Sequence, residues 1–264
     1  MRSVLFRIGP LPLHSYGVMV AVGFLVGLWR SVRASGRKGI SSAEVVDAAL
    51  YILLAGVIGA RIVYVSHEWS YYRENLAEIP KIWDAGLSFY GALAASALVA
   101  YVYTKRKAIV FAGFADLLAP SVALGYAFAR IGCFLNGCCG GIPTVLPWGV
   151  RFHDPFDSSI FTPPCHPTQL YSSAASLAIL ATLAWIDRKG YRDGTVFAAY
   201  LALYGGTRFM IEFLRVGQRI AIGPVHLTLA QLVSLPLFAG ACLAVVLLSS
   251  RGQGTSVGSD QRRR

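Results

Sequence analysis

The chain has 264 residues, of which 55% are hydrophobic and 14% charged, and carries a formal net charge of +11. A positive mean hydropathy, with apolar runs recurring from Ser15 to Ser249, excludes an ordinary water-soluble enzyme and marks an integral membrane protein. The basic balance does not point to nucleic acid, because the lysines and arginines fall between the apolar runs rather than along one soluble face.

A membrane-spanning helix needs about 20 apolar residues, or roughly 17 with amphipathic flanks. On that measure the sequence predicts seven spans: Ser15 to Trp29, Val45 to Val65, Leu87 to Tyr103, Val110 to Leu135, Leu170 to Ile186, Thr195 to Leu214 and Leu227 to Ser249. The first is short, but no convincing small-residue cleavage site follows it, so it is expected to stay in the mature protein. Between spans two and three, residues 67–86 carry Trp69, Tyr71, Tyr72 and Trp83 with four acids, the pattern of an interfacial arm with an aromatic belt. Residues 137–167 are rich in Gly and Pro and read as an irregular cap. The tail 250–264 is Gly, Ser and Arg rich and reads as disordered, facing anionic lipid. The expected architecture is therefore all-α: one seven-helix transmembrane bundle over residues 1–249, with no soluble domain and no internal repeat.

Loop charge sets the orientation. Segments 30–43, 104–108, 187–194 and 251–264 hold 14 basic residues, against 7 in the alternate segments. The richer set is cytoplasmic by the positive-inside rule, which with an odd number of spans puts the N-terminus outside and the C-terminus in the cytoplasm.

The three remaining cations are Arg61, Arg130 and Arg208, each inside an apolar span. On the expected topology they lie roughly 6 to 9 Å below the outer interface, at about 1.5 Å per residue. An arginine in hydrocarbon costs roughly 3 kcal/mol even on lenient scales, so three at one depth suggest a site for an anion, and a lipid phosphate is the anion available there. The same level holds His14, Tyr16, Tyr90, Asn136, Tyr204 and Glu212. Two structural readings stand beside this one: arginines near helix ends can snorkel, and Glu212, four residues after Arg208, can neutralise it.

Gly56, Gly59, Gly125, Gly205 and Gly206 interrupt spans where small residues let helices approach, and Gly59 sits two residues before Arg61. Of the five cysteines, Cys133, Cys138, Cys139 and Cys165 lie on the outer side with His153 and His166. No C-x-x-C pair is present, so packing, or a loop staple to Cys165, is the expected role and no metal or cofactor is expected.

Several ordered blocks resemble the prolipoprotein diacylglyceryl transferases: I-G-P-x-x-L-H-S-Y-G at 8–17, G-A-R at 59–61, S-F-Y-G at 88–91, R-I-G-C-F-L-N-G-C-C-G at 130–140, P-W-G-V-R-F at 147–152, H-P-T-Q-L-Y at 166–171 and Y-G-G-T-R-F-M-I-E-F-L-R at 204–215. The resemblance implies an enzyme of the bacterial cytoplasmic membrane. It would transfer the diacylglyceryl group of phosphatidylglycerol to the lipobox cysteine thiol of preprolipoprotein signal peptides, forming a thioether and releasing glycerol 1-phosphate, with a monomer expected. It assigns phosphate binding and catalysis to Arg130 and Arg208, and other functional positions to Tyr16, Asn136, Tyr204 and Glu212. Arg61 and His14 join these as candidate substrate-binding residues from their depth. The chain departs from the family pattern at Tyr90, where a histidine is usual, and at Cys133 and Cys138, where asparagine and glutamate are usual. A tyrosine hydroxyl is a poor base at neutral pH unless arginines stand beside it, so Tyr90 and His14 share the candidacy for proton acceptor. Two other functions fit parts of the pattern: an anionic-lipid transporter using the same arginines, and a membrane thiol oxidoreductase using Cys133, Cys138 and Cys139.

Overall fold

The computed structural model of the protein describes residues 4–8, 11–81, 86–153, 160–217, 219–222 and 225–250. Trp83 of the arm and residues 251–264 of the tail lie outside the described residues. The architecture is helical. Among the described residues there are seven helices of 18 residues or more, α1 (Ser15–Ser35), α2 (Ser42–His67), α4 (Phe89–Arg106), α5 (Phe111–Asn136), α6 (Thr168–Arg188), α7 (Thr195–Glu212) and α8 (Leu229–Ser250), with a single short turn of helix α3 (Trp69–Tyr72) in the arm. Each long helix overlies one predicted span, and most run a few residues further. Among the described residues five segments, Ser15–Lys38, Ser42–His67, Phe111–Asn136, Thr168–Arg188 and Leu229–Ser249, are long and apolar enough to cross a membrane. The other two are α4, which ends in Lys105 and Arg106, and α7, which contains Arg208 and Glu212. Large apolar side chains on the outside of these helices, such as Leu54, Ile58 and Ile62 on α2 and Leu243 and Val246 on α8, suit lipid rather than water.

Two elements differ from the sequence expectation. The stretch before Ser15 forms an antiparallel hairpin of β1 (Val4–Ile8) and β2 (Leu11–His14), and the flank of α8 forms a second, β3 (Arg219–Ile222) and β4 (Val225–Thr228). Both are too short and too interrupted by Gly-Pro to register as spans, yet pairing satisfies their backbone groups.

The chain divides into two compact units, Met1–Trp29 with Ala115–Arg264, and Arg30–Phe114. In the first, the core is made of small and branched residues, Ala119 and Ala123 of α5, Ile179 and Leu183 of α6, and Val196, Ala199 and Tyr200 of α7. Small residues bring the helix backbones close enough for side chains to bond across: Ser173 Oγ donates to the Ala127 carbonyl at 3.1 Å and Ser176 Oγ to that of Ala123 at 2.7 Å. Asp116 of α5 accepts from the first amides of α7, Gly194 N at 2.8 Å and Phe197 N at 2.7 Å, which satisfies donors a helix start would otherwise strand.

In the second unit α2 and α4 cross at Gly59 and Gly91. A Cβ on Gly59 would stand 2.7 Å from the Gly91 carbonyl oxygen and overlap the Ala95 side chain. The approach expected of Gly59 is therefore present, and α4 is the partner. Ser96 Oγ donates across the same crossing to the Ile52 carbonyl at 3.1 Å. α2 starts at a capping box in which Ser41 Oγ accepts from Glu44 N at 3.2 Å while the Glu44 carboxylate accepts from Ser41 N at 3.0 Å.

Candidate active site

Arg61, Arg130 and Arg208 all lie within six residues of the C-terminal ends of their helices, as the spans predicted. Their surroundings separate them. Arg61, in the Arg30–Phe114 unit, is 7% exposed. Its guanidinium donates to three main-chain carbonyls of the arm: Nε to Ile79 at 2.7 Å, Nη2 to Glu78 at 2.7 Å and Nη1 to Gly86 at 3.0 Å. The Tyr72 ring lies beneath it, 5.2 Å away. Although grouped with the candidate substrate ligands from its depth, it is committed to tying the arm to α2. The arm itself is a short helix and a 3-10 turn, Leu76–Glu78. In it Tyr71 donates to Glu78 at 2.8 Å, and with Lys81 beside it the Glu78 carboxyl is held below the usual carboxylate range. Tyr90, in the same unit, is 61% exposed, with its ring edge-on to Phe89.

Arg130 and Arg208 belong to the other unit, on α5 and α7. The Arg130 guanidinium lies 4.8 Å from the centre of the Tyr126 ring, and its Nε is buried with no hydrogen-bond partner among the described residues. Tyr126 packs edge-on to Tyr204 at 5.5 Å, and Tyr204 is within electrostatic reach of both Arg130 and Arg208. A small cleft beside this pair is lined by Tyr126, Ser172, Ser176, Tyr204, Thr207 and Arg208.

Glu212 is buried at the end of α7 and does pair with Arg208. Nη1 of Arg208 lies 2.7 Å from Oε2 of Glu212, and Nε of Arg215 lies 3.7 Å from the same oxygen. Arg208 Nη1 and Glu212 Oε2 are close but not aligned as a hydrogen bond, so the contact is ionic. One carboxylate between two guanidinium groups leaves a net positive charge, and Arg130 adds to it. Sequence reasoning had singled out neither Arg215 nor Tyr126; the spacing of three from Glu212 and of four from Arg130 were the available signals.

Tyr16, at the start of α1, is 45% exposed and within electrostatic reach of Arg130, Cys133, Cys138 and Cys139. His14, the last residue of β2, is exposed. Asn136 ends α5 at a Schellman turn, in which Gly137 N donates to Phe134 O at 3.1 Å, Cys138 N donates to Cys133 O at 3.1 Å, and Gly137 has φ 78°. This turn folds Cys138 back onto Cys133. Cys139 follows with φ 64°, a left-handed conformation that costs a non-glycine residue about 1–2 kcal/mol. The first turn of α6 holds the result in place, with Gln169 Nε2 donating to the Cys138 carbonyl at 2.6 Å and Thr168 Oγ1 to that of Cys139 at 3.0 Å. The sulfur atoms of Cys133, Cys138 and Cys139 consequently lie within 4.8 Å of one another. The Cys133 and Cys138 thiols, then Arg215 and Arg130, push the Cys139 thiol below the ordinary cysteine range. The staple to Cys165 that the sequence allowed is not formed, since all five cysteines are free and the Cys165 thiol faces the Pro163 carbonyl at 3.1 Å.

The described residues of the rest of the cap are irregular, and they are pinned by bridges from Gly141 to Arg215 and from Pro143 and Val150 to Cys165. Trp148 Nε1 donates to the Tyr171 hydroxyl at 2.8 Å, and His166 Nδ1 stands 3.3 Å from that same oxygen. The H-P-T-Q-L-Y block is thus a structural clasp for the cap and the cysteine turn.

The positions gathered here, Tyr16, Arg130, Asn136, Tyr204, Arg208 and Glu212, fall within a match of residues 3–247 to the family model described as Prolipoprotein diacylglyceryl transferase. Relatives named phosphatidylglycerol--prolipoprotein diacylglyceryl transferase share the match along nearly their full lengths. The Clostridium tetani protein is 36% identical over 89% of this chain and 93% of its own length. The Geobacillus kaustophilus protein is 34% identical over 90% and 88%, and the Finegoldia magna protein is 33% identical over 99% and 100%. With the helices, the arginines and the sequence match in agreement from end to end, the chain belongs to the prolipoprotein diacylglyceryl transferase family.

Proposed function

We propose that this protein transfers the diacylglyceryl group of phosphatidylglycerol to the lipobox cysteine thiol of preprolipoprotein signal peptides, releasing glycerol 1-phosphate. The observation that carries the reading is the pair Arg130 and Arg208 around Tyr126 and Tyr204, with a buried Arg130 Nε that has no hydrogen-bond partner among the described residues, in a region of net positive charge. A phosphate group supplies the acceptor that this donor lacks, and two guanidinium groups bind it with charge-assisted bonds. As the glycerol carbon–oxygen bond breaks, negative charge grows on that phosphate, and fixed cations at a dry site stabilise the transition state.

The sulfur of the substrate forms the new bond to carbon, and the bonding pair of the carbon–oxygen bond leaves with the phosphate oxygen. Glu212 orients Arg208, Tyr204 and Asn136 shape the lipid site, and Tyr16 lies beside Arg130. The His14 imidazole takes the thiol proton. Arg61 serves by holding the arm. The protein sits in the bacterial cytoplasmic membrane as a monomer of seven spans and one domain, with its N-terminus outside and its C-terminus in the cytoplasm; the loop-charge asymmetry supports this orientation. The test is transfer by purified Arg130→Ala and Arg208→Ala variants. Each should lose about two to three orders of magnitude; near-normal rates would remove the arginines from the mechanism.

A further inference from the structure

The three cysteines on the α5 turn have no part in that chemistry, yet the fold brings their sulfurs together. The Schellman turn, a left-handed Cys139 and two side-chain bonds from α6 all serve to hold Cys133, Cys138 and Cys139 within 4.8 Å. A left-handed non-glycine residue kept at a fixed cost is a feature of functional sites. Zinc–sulfur bonds of about 2.3 Å place tetrahedral ligand sulfurs about 3.8 Å apart, so the group needs only side-chain rotation to close on an ion.

The donor set narrows the ion. Three thiolates favour a soft cation over magnesium or calcium, and three protein ligands with an open fourth position are the pattern of catalytic rather than structural zinc. Cys133 is buried and Cys139 exposed, so the set runs from the core to an accessible rim. Arg130 and Arg215 are both within electrostatic reach of Cys139 and offset the excess negative charge of a zinc tris-thiolate.

We propose that Cys133, Cys138 and Cys139 bind one zinc ion as thiolates and that its fourth position receives the thiol of the substrate cysteine. The second half rests on the transferase reading above. Binding of the ion displaces three thiol protons. Coordination of the substrate thiol releases a fourth, which passes to the His14 imidazole or to solvent, so the nucleophile is already a thiolate when it meets the lipid. Its electron pair forms the sulfur–carbon bond, the carbon–oxygen pair departs with glycerol phosphate, and the neutral thioether, a weak ligand, leaves the metal. No electrons are exchanged, and zinc is redox-inert.

The test uses the full-length protein in detergent, reduced with a phosphine, loaded with zinc and freed of excess by gel filtration. Elemental mass spectrometry should find one zinc per chain, at least tenfold less in Cys138→Ser and in Cys133→Ser, and an unchanged amount in Cys242→Ser. Cobalt(II) put in place of zinc in the unsubstituted protein should give thiolate charge-transfer absorption, a readout that needs no variant to fold. A lipobox peptide should then shift the ligand-field bands, whereas its Cys→Ser analogue should not. Absence of zinc from the reduced protein, zinc that survives the serine substitutions, or a disulfide among the three cysteines in place of metal would each overturn the site. Zinc without a peptide response would overturn the substrate role. Arg208→Ala should retain zinc and the peptide response while losing transfer, which separates failure of the metal site from failure of the transferase reading.

Discussion

Replacing Arg61 with alanine should loosen the arm without removing the chemistry. The guanidinium holds three carbonyls, at 2.7, 2.7 and 3.0 Å, and Tyr72 covers it. Hydrogen bonds to a charged group contribute about 1.5–3 kcal/mol each, and water replacing the guanidinium at the freed carbonyls discounts the total to about 3 kcal/mol. At about 1.4 kcal/mol per tenfold, this is about a hundredfold increase in local opening. The reporters are the amides of Ile79, Lys81 and Ser88, which bond to Leu76, Glu78 and Ala60 respectively. Hydrogen exchange read by mass spectrometry should accelerate there by up to about a hundredfold, with amides of α7 unaffected and transfer reduced by less than about tenfold. Arg61→Lys should recover little, because one ammonium cannot reproduce a planar three-way fork. Unchanged exchange in the arm together with a loss of transfer as deep as that of Arg208→Ala would refute this reasoning and put Arg61 in the substrate site.

Three further outcomes follow from particular contacts. Gly59→Leu forces α2 off the Gly91 carbonyl and Ala95, so the melting temperature should fall by roughly 4–10 °C, read by a detergent-compatible thermal melt. Gly137→Ala strains a residue at φ 78° by about 1–2 kcal/mol and releases Cys138 from Cys133, so the buried Cys133 thiol should become reactive to maleimide. Because the folded value for Glu78 lies below its unfolded one, the Tyr71–Glu78 contact stabilises the arm above about pH 4.3 and is lost as the pH falls through the folded value. Limited proteolysis of the arm should therefore rise on acidification below that range, and Glu78→Gln should abolish the dependence.

The long helices were legible because each is a long, mostly apolar stretch, which has few alternatives to a helix. Their ends were less so. α2 begins at Ser42 rather than Val45 because Ser41 and Glu44 form a capping box, a signal present in the sequence but outweighed by hydropathy. The hairpins went unread since four or five paired residues around Ile-Gly-Pro carry too little periodicity. At the site, depth in the membrane grouped Arg61 with Arg130 and Arg208, but depth says nothing about partners: main-chain carbonyls occupy Arg61, and a carbonyl leaves no mark in a sequence. The cysteine cluster was hidden for a related reason. Cys133 and Cys138 are five residues apart, a spacing that brings sulfurs together only when a glycine between them turns left-handed, as Gly137 does.

The central claim is tested most directly by incubating the purified protein with phosphatidylglycerol and a lipobox peptide and following both products by mass spectrometry. The account predicts a diacylglyceryl thioether on the peptide cysteine and glycerol 1-phosphate in equal amounts, both reduced by two to three orders of magnitude when Arg130 or Arg208 is replaced by alanine. A peptide left unmodified by active, lipid-supplied protein, or an adduct formed equally well without the two arginines, would contradict it.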